Sequence, residues 1–204
     1  MFRLRNVEVE LSPGFLSLVA LMVWMDKETG FLPWALTACV AHEVGHLAAG
    51  ALLRGKLERF SLTFVGAEMS VKYARMLSYR EETAVALAGP AMNLLFGAAA
   101  GWLGATIPAV FSLVVGGFNL LPVLPLDGGR VLQAALNASV GVQYSERLMT
   151  VSSGLVIGVM LGLGMLAAEM FANFTLLLTS GWLLVNTLKE NWKNEIKSKE
   201  NTCN

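Results

Sequence analysis

Six stretches of this sequence are apolar over most of a membrane's thickness, and that constrains the fold more than any other feature. They run from Leu11 to Met25, Phe31 to Leu53, Thr83 to about Thr106, Pro108 to about Leu121, Leu148 to Ala168 and Phe171 to Leu188. A helix needs about 20 mostly apolar residues to cross a bilayer. In lipid the backbone must satisfy its own polar groups, so such runs are expected to be helical. Only 15% of the 204 residues are charged, against about a quarter in soluble domains. The expected fold is therefore an all-α polytopic membrane protein with six transmembrane helices. The formal net charge is zero, so no nucleic acid is expected as a partner. The run from Leu11 lacks a small-residue cleavage site and reads as a retained span rather than a leader. The two cysteines, Cys39 and Cys203, make no disulfide framework.

Basic residues orient the spans, because cytoplasmic loops collect Lys and Arg. With six spans and a cytoplasmic N-terminus, Lys27 is the one basic residue outside. The other fourteen of the 15, from Arg3 and Arg5 through Arg54, Lys72, Arg130 and Arg147 to Lys199, lie inside. Both termini are then cytoplasmic. The spans make one domain, residues 1–188, followed by a polar cytoplasmic tail, 189–204. Between Gly55 and Tyr73 the pattern changes. Polar and apolar residues alternate on either side of Val65-Gly66-Ala67, which predicts a small β-hairpin at the membrane after the second span.

The second span carries His42-Glu43-Val44-Gly45-His46. Side chains four apart share one helix face, so both imidazoles can reach one Zn2+ at about 2.0–2.1 Å. The intervening Glu43 is placed to take a proton from an attacking water. A chance match has to be weighed, since a buried His more often just packs. Yet the chain has only two His, and both lie in this motif. Ionisable groups inside a span are costly and mark function. His46 lies eight residues before Arg54, or about 12 Å along the axis at the helical rise. The metal is thus expected below the cytoplasmic surface.

A catalytic zinc takes three protein ligands and keeps one open position. Cys39 is seven residues from His46, about 10 Å along the helix, too far to share an ion with both imidazoles. Asp127 is the better candidate. It stands in Asn119-Leu-Leu-Pro-Val-Leu-Pro-Leu-Asp127-Gly-Gly-Arg130, where two prolines break the helix and two glycines permit a sharp turn. The same segment could equally be a turn in which Asp127 caps the next helix.

Taken together, His42-Glu-Val-Gly-His46 and Asn119-Leu-Leu-Pro-Val-Leu-Pro-Leu-Asp127-Gly resemble the paired signatures of site-2 proteases, a family of intramembrane zinc metalloproteases. Ala88-Gly-Pro-Ala-Met-Asn93 resembles that family's A-G-P-x-x-N segment. The resemblance covers Ala41 to Arg130. Without room for an inserted PDZ domain and without a C-terminal CBS domain, the layout is most similar to the compact subgroup that includes stage IV sporulation protein FB. The resemblance implies one Zn2+ per chain held by His42, His46 and Asp127, Glu43 as general base, and Asn119 and Asn93 as substrate-positioning residues. It also implies a bacterial plasma-membrane enzyme that cuts a transmembrane segment or membrane-associated pro-sequence, with sigma-factor processing as one setting and a regulatory membrane partner as another participant. Two rivals remain. A prenyl-protein-processing type of protease would draw its third ligand from a later Glu, among Glu68, Glu146 and Glu169. A non-proteolytic membrane metal-binding protein or transporter would have a closed structural site.

Overall fold

The structure, a computed structural model, describes residues 2–4, 7–26, 30–63, 66–171 and 174–202. The chain divides into two compact units, residues 1–118 and 119–204. The expected positions of Lys27 and Cys203, and the Val65 corner of the hairpin, lie outside the described residues.

The first unit opens with two strands, β1 (Phe2–Leu4) and β2 (Val7–Leu11). Helix α1 (Pro13–Met25) follows. Ser12 caps it, its side chain accepting from the Gly14 amide at 3.2 Å, and Pro13 takes the first turn, where a missing N–H costs nothing. Helix α2 (Leu32–Leu52) then carries the His-Glu-x-x-His motif. It ends at Arg54, whose positive φ of 58° lets the Gly55 amide reach back to the Gly50 carbonyl at 2.8 Å.

The expected hairpin is present as β3 (Lys56–Thr63) and β4 (Gly66–Lys72), antiparallel from Lys56↔Lys72 to Thr63↔Gly66. It belongs to a larger sheet than the sequence reading expects. The strand order is β1-β2-β3-β4, with β2 parallel to β3 through Val9↔Phe60. The all-α expectation is corrected accordingly: the fold is mostly helical with a small sheet. Leu11 belongs to β2 rather than to a span, and the Ser12 amide donates to the Leu62 carbonyl at 2.9 Å.

Helix α3 (Tyr79–Trp102) begins with a capping box between Ser78 and Glu81. Helix α4 (Thr106–Asn119) packs against it, with buried Ser112 donating to the Asn93 carbonyl at 3.0 Å. Phe111 of α4 stacks on Phe31, ring centroids 5.9 Å apart.

The second unit holds α5 (Asp127–Val140), α6 (Val142–Phe171) and α7 (Thr175–Thr202). Helix α5 is not among the six spans expected from the sequence. It is amphipathic, burying Asp127, Gly128, Gly129 and Ala134 while Arg130 is exposed. Helices α6 and α7 overrun the expected spans at 148–168 and 171–188, and Phe171 ends α6 instead of starting the last helix.

Among the described residues, three helices are long and apolar enough to cross a membrane: Leu32–Leu52, Tyr79–Trp102 and Val142–Met170. The apolar helices at 13–24 and 106–119 are shorter. Large side chains such as Leu95, Trp102, Leu155 and Val159 stand outward on these helices. Hydrocarbon is as apolar as a protein core, so such a surface suits a bilayer.

Candidate metal centre

The helical period brings His42 and His46 to one face of α2, and the structure aims both rings at one point. Their Nε2 atoms lie 3.1 Å apart, and the rings meet edge to face with centroids at 4.7 Å. Two nitrogens about 2.05 Å from one tetrahedral ion would stand about 3.3 Å apart, so the pair has the right bite for zinc. His42 is buried, at 6% exposure.

Helix α3 builds the wall behind the rings. The Nδ1 of His46 lies 2.8 Å from the carbonyl of Val85. A carbonyl can only accept, so Nδ1 carries the proton and Nε2 keeps its lone pair for a metal. Pro90 lies inside α3 and loosens its hydrogen-bond ladder in this turn, because it offers no N–H.

The two helices approach closely because glycine stands at both contact points. A Cβ on Gly45 would overlap the carbonyl of Ala88, and one on Gly89 would strike the rings of His46 and His42. The residues of the Ala88-Gly-Pro-x-x-Asn93 segment thus have a steric role: Gly89 leaves the rings their space. One helical turn later, fully buried Asn93 sets its amide against His42, Nδ2 to Nδ1 at 3.3 Å. The sequence reading expects Asn93 to position substrate; its side chain here faces an imidazole. No single-chain signal reports that contact, which depends on how two helices cross.

Glu43 is half-buried on α2, next to the first histidine. Cys39 is on an exposed part of the same helix. Asn119 is half-buried and closes α4.

In the second unit, Asp127 is buried at 5% exposure and opens α5. It is not the helix cap that the segment allows: the capping position is Leu126, with no side-chain cap bond. A carboxylate in the first turn is favoured by the positive helix end. The irregular backbone before it is supported from two helices. Ser152 of α6 donates to the Pro122 carbonyl at 3.0 Å, and Thr187 of α7 donates to the Leu124 carbonyl at 3.1 Å. A Cβ on Gly128 would collide with the backbone of Leu120 and Leu121, and one on Gly129 with Val123. The two glycines therefore let the broken segment fold tightly back on α5. Among the rival carboxylates, Glu146 and Glu169 are exposed. As donors, His42, His46 and Asp127 make a set of two imidazoles and a carboxylate that could hold a metal ion.

Comparison with known proteins agrees with this chemistry. Residues 104–165, a range that includes Asn119 and Asp127, match the model of peptidase family M50. The chain is 24% identical over 166 residues to a zinc metalloprotease of Methanocaldococcus jannaschii, covering 72% of this chain and 48% of that protein. It is 27% identical over 144 residues to stage IV sporulation protein FB of Bacillus subtilis, covering 66% and 50%. A zinc metalloprotease of Synechocystis, described as putative, is 29% identical over 185 residues, covering 78% and 48%. The chain thus spans about half the length of the curated relatives it matches. The fold is similar to the solved site-2 protease from Methanocaldococcus jannaschii, with a TM-score of 0.70, 22% identity and 93% of each chain covered. By motif, by the match of residues 104–165 and by its relatives, this chain is similar to peptidase family M50, and its fold is similar to that of a site-2 protease.

Proposed function

We propose that this chain is an intramembrane zinc metalloprotease that hydrolyses a peptide bond in a transmembrane segment or a membrane-associated pro-sequence. The observation that carries the reading is the pair of Nε2 atoms 3.1 Å apart, with the His46 tautomer held by the Val85 carbonyl. His42, His46 and Asp127 would hold the ion. Two His and one carboxylate leave a fourth position open, as catalytic rather than structural zinc sites do. Zinc bound there would polarise the scissile carbonyl and make water available as a nucleophile at neutral pH.

The remaining chemistry falls to side chains of the protein. Glu43 accepts the proton of the attacking water and passes it to the leaving amine, so one carboxylate serves as base and then as acid. Asn119 donates to the substrate backbone. Strand β4 is an edge of the sheet, so an extended substrate can add to it through main-chain hydrogen bonds. A transmembrane helix must first unwind to do so.

The chain crosses the bacterial plasma membrane six times in this reading, with both termini cytoplasmic. Processing of a membrane-associated sigma-factor precursor is one use of such a site, by analogy with stage IV sporulation protein FB, and a membrane partner would regulate access. The test is reconstitution of the full chain in lipid vesicles with a panel of single-span segments carrying a cytoplasmic reporter. Zinc-dependent release of the reporter, abolished in Glu43→Gln although zinc stays bound, is the expected result. Zinc bound with no cleavage of any segment would favour a non-proteolytic metal-binding protein.

A further inference from the structure

We propose that Asn93 is a positioning residue for the metal: its amide selects the tautomer of His42 that leaves both Nε2 lone pairs facing the ion. This inference rests on the zinc reading above and adds to it the residue that prepares the first ligand.

Three observations converge on Asn93. Its side chain is completely buried on α3 and meets His42 Nδ1 at 3.3 Å. Its Oδ1 meets no donor among the described residues. Helix α4 clamps its position from behind: Ser112 donates to its carbonyl at 3.0 Å, and a Cβ on Gly116 would lie 3.0 Å from the Asn93 Cβ.

The two ends of a carboxamide differ chemically but hardly in shape. When Nδ2 faces His42, it donates to Nδ1, and the ring proton of a neutral imidazole must sit on Nε2. That N–H points at the Nε2 of His46, and the histidines close on each other as a hydrogen-bonded pair. When the amide is turned, Oδ1 accepts from Nδ1–H and the His42 Nε2 is left bare. His46 is already in that state, through Val85. Two lone pairs about 3 Å apart then repel unless a cation lies between them. A turn of one buried amide thus separates a closed pair from a metal-ready one. Hydrogen-bond partners of this kind fix ring orientation and raise ligand basicity, and losing one lowers metal affinity by about 10–100-fold.

The test measures zinc affinity of the purified full chain by chelator competition, alongside thermal unfolding of the metal-free protein. Asn93→Leu keeps the volume and removes the acceptor, and is expected to weaken zinc binding by about 10–100-fold. Asn93→Asp offers only acceptors to His42 Nδ1 and should bind zinc within a few-fold of wild type. If Asn93→Leu does not fold, Asn93→Ser, too short to reach the ring, takes its place. Unchanged affinity in the Leu or Ser variant overturns the proposal. So does an Asp variant that loses affinity as much as they do while its metal-free stability is unchanged. A wild-type chain that binds no zinc defeats the zinc reading itself, and this inference with it.

Discussion

The proposed metal ligands, two imidazoles and a carboxylate, are tested one side chain at a time. Zinc content should fall from one per chain to background in Asp127→Ala and stay at one in Glu146→Ala, measured by elemental analysis of purified protein. Glu146 is exposed, so the rival carboxylate assignment requires the opposite result. Glu43→Gln should keep zinc and lose proteolysis by at least about 10²–10⁴-fold, the usual weight of a positioned acid–base group. The residues behind these predictions were readable in the sequence for a physical reason. Spacing along one helix fixes which side chains share a face, so His42 and His46 needed no tertiary information. Asp127 stood out because proline and glycine mark a broken backbone. Asn93 did not disclose its role, since nothing local places an α3 amide against an α2 ring.

Between the single residue and the whole chain, the contacts of elements decide whether the donors hold their aim. The approach of α2 to α3 depends on the two glycines that face the partner helix. Gly45→Ala would set a methyl on the Ala88 carbonyl, and overpacking of that kind costs about 1–3 kcal/mol. Gly89→Ala is the sharper probe, because its methyl would fall on both imidazoles. It should lower zinc affinity more than it lowers the melting temperature of the metal-free protein. Equal losses in both would mean that the helix pair, rather than the rings, bears the strain. In the second unit, removing the hydroxyls of Ser152 and Thr187 deprives the Pro122 and Leu124 carbonyls of their donors. Each change should destabilise by about 0.5–1.5 kcal/mol, the net worth of an ordinary hydrogen bond, since both bonds are part-buried. At this scale the sequence was an uneven guide. Long apolar runs located the helices. Strand β2 carries an alternating Val7-Glu-Val-Glu-Leu11 pattern that the adjoining apolar run obscured. Its parallel pairing with β3 joins residues some fifty positions apart, beyond the reach of local pattern. Helix α5 was hidden for another reason: it opens on Asp127-Gly-Gly, residues typical of a turn, just where its amphipathic period begins.

For the molecule as a whole, helix length and charge bear on how often the chain crosses the bilayer. Among the described residues, three helices have the length and composition to span. Helix α4 has 14 residues, about 21 Å at the helical rise, against a hydrocarbon thickness of about 30 Å. It can therefore cross only if the membrane thins or the irregular backbone after it lies at membrane depth. Such backbone is tolerated only when buried in protein or facing water. Buried Val123 and Leu126, and the hydroxyls that meet the loop's carbonyls, are what that tolerance requires. Charge then sets the direction. Basic residues cluster after α2, from Arg54 to Arg80, and again from Lys189 onward, and both clusters favour the cytoplasmic side. A reporter that fluoresces only in the cytoplasm should therefore be bright when fused after Arg75 and after Lys193. A second reporter, active only after export, should be active when inserted near Thr106. With an odd number of crossings between Arg75 and Lys193, one of the first two fusions would be dark. That result would require the chain to carry a basic cluster on the outer face, against the charge bias from which the orientation is argued.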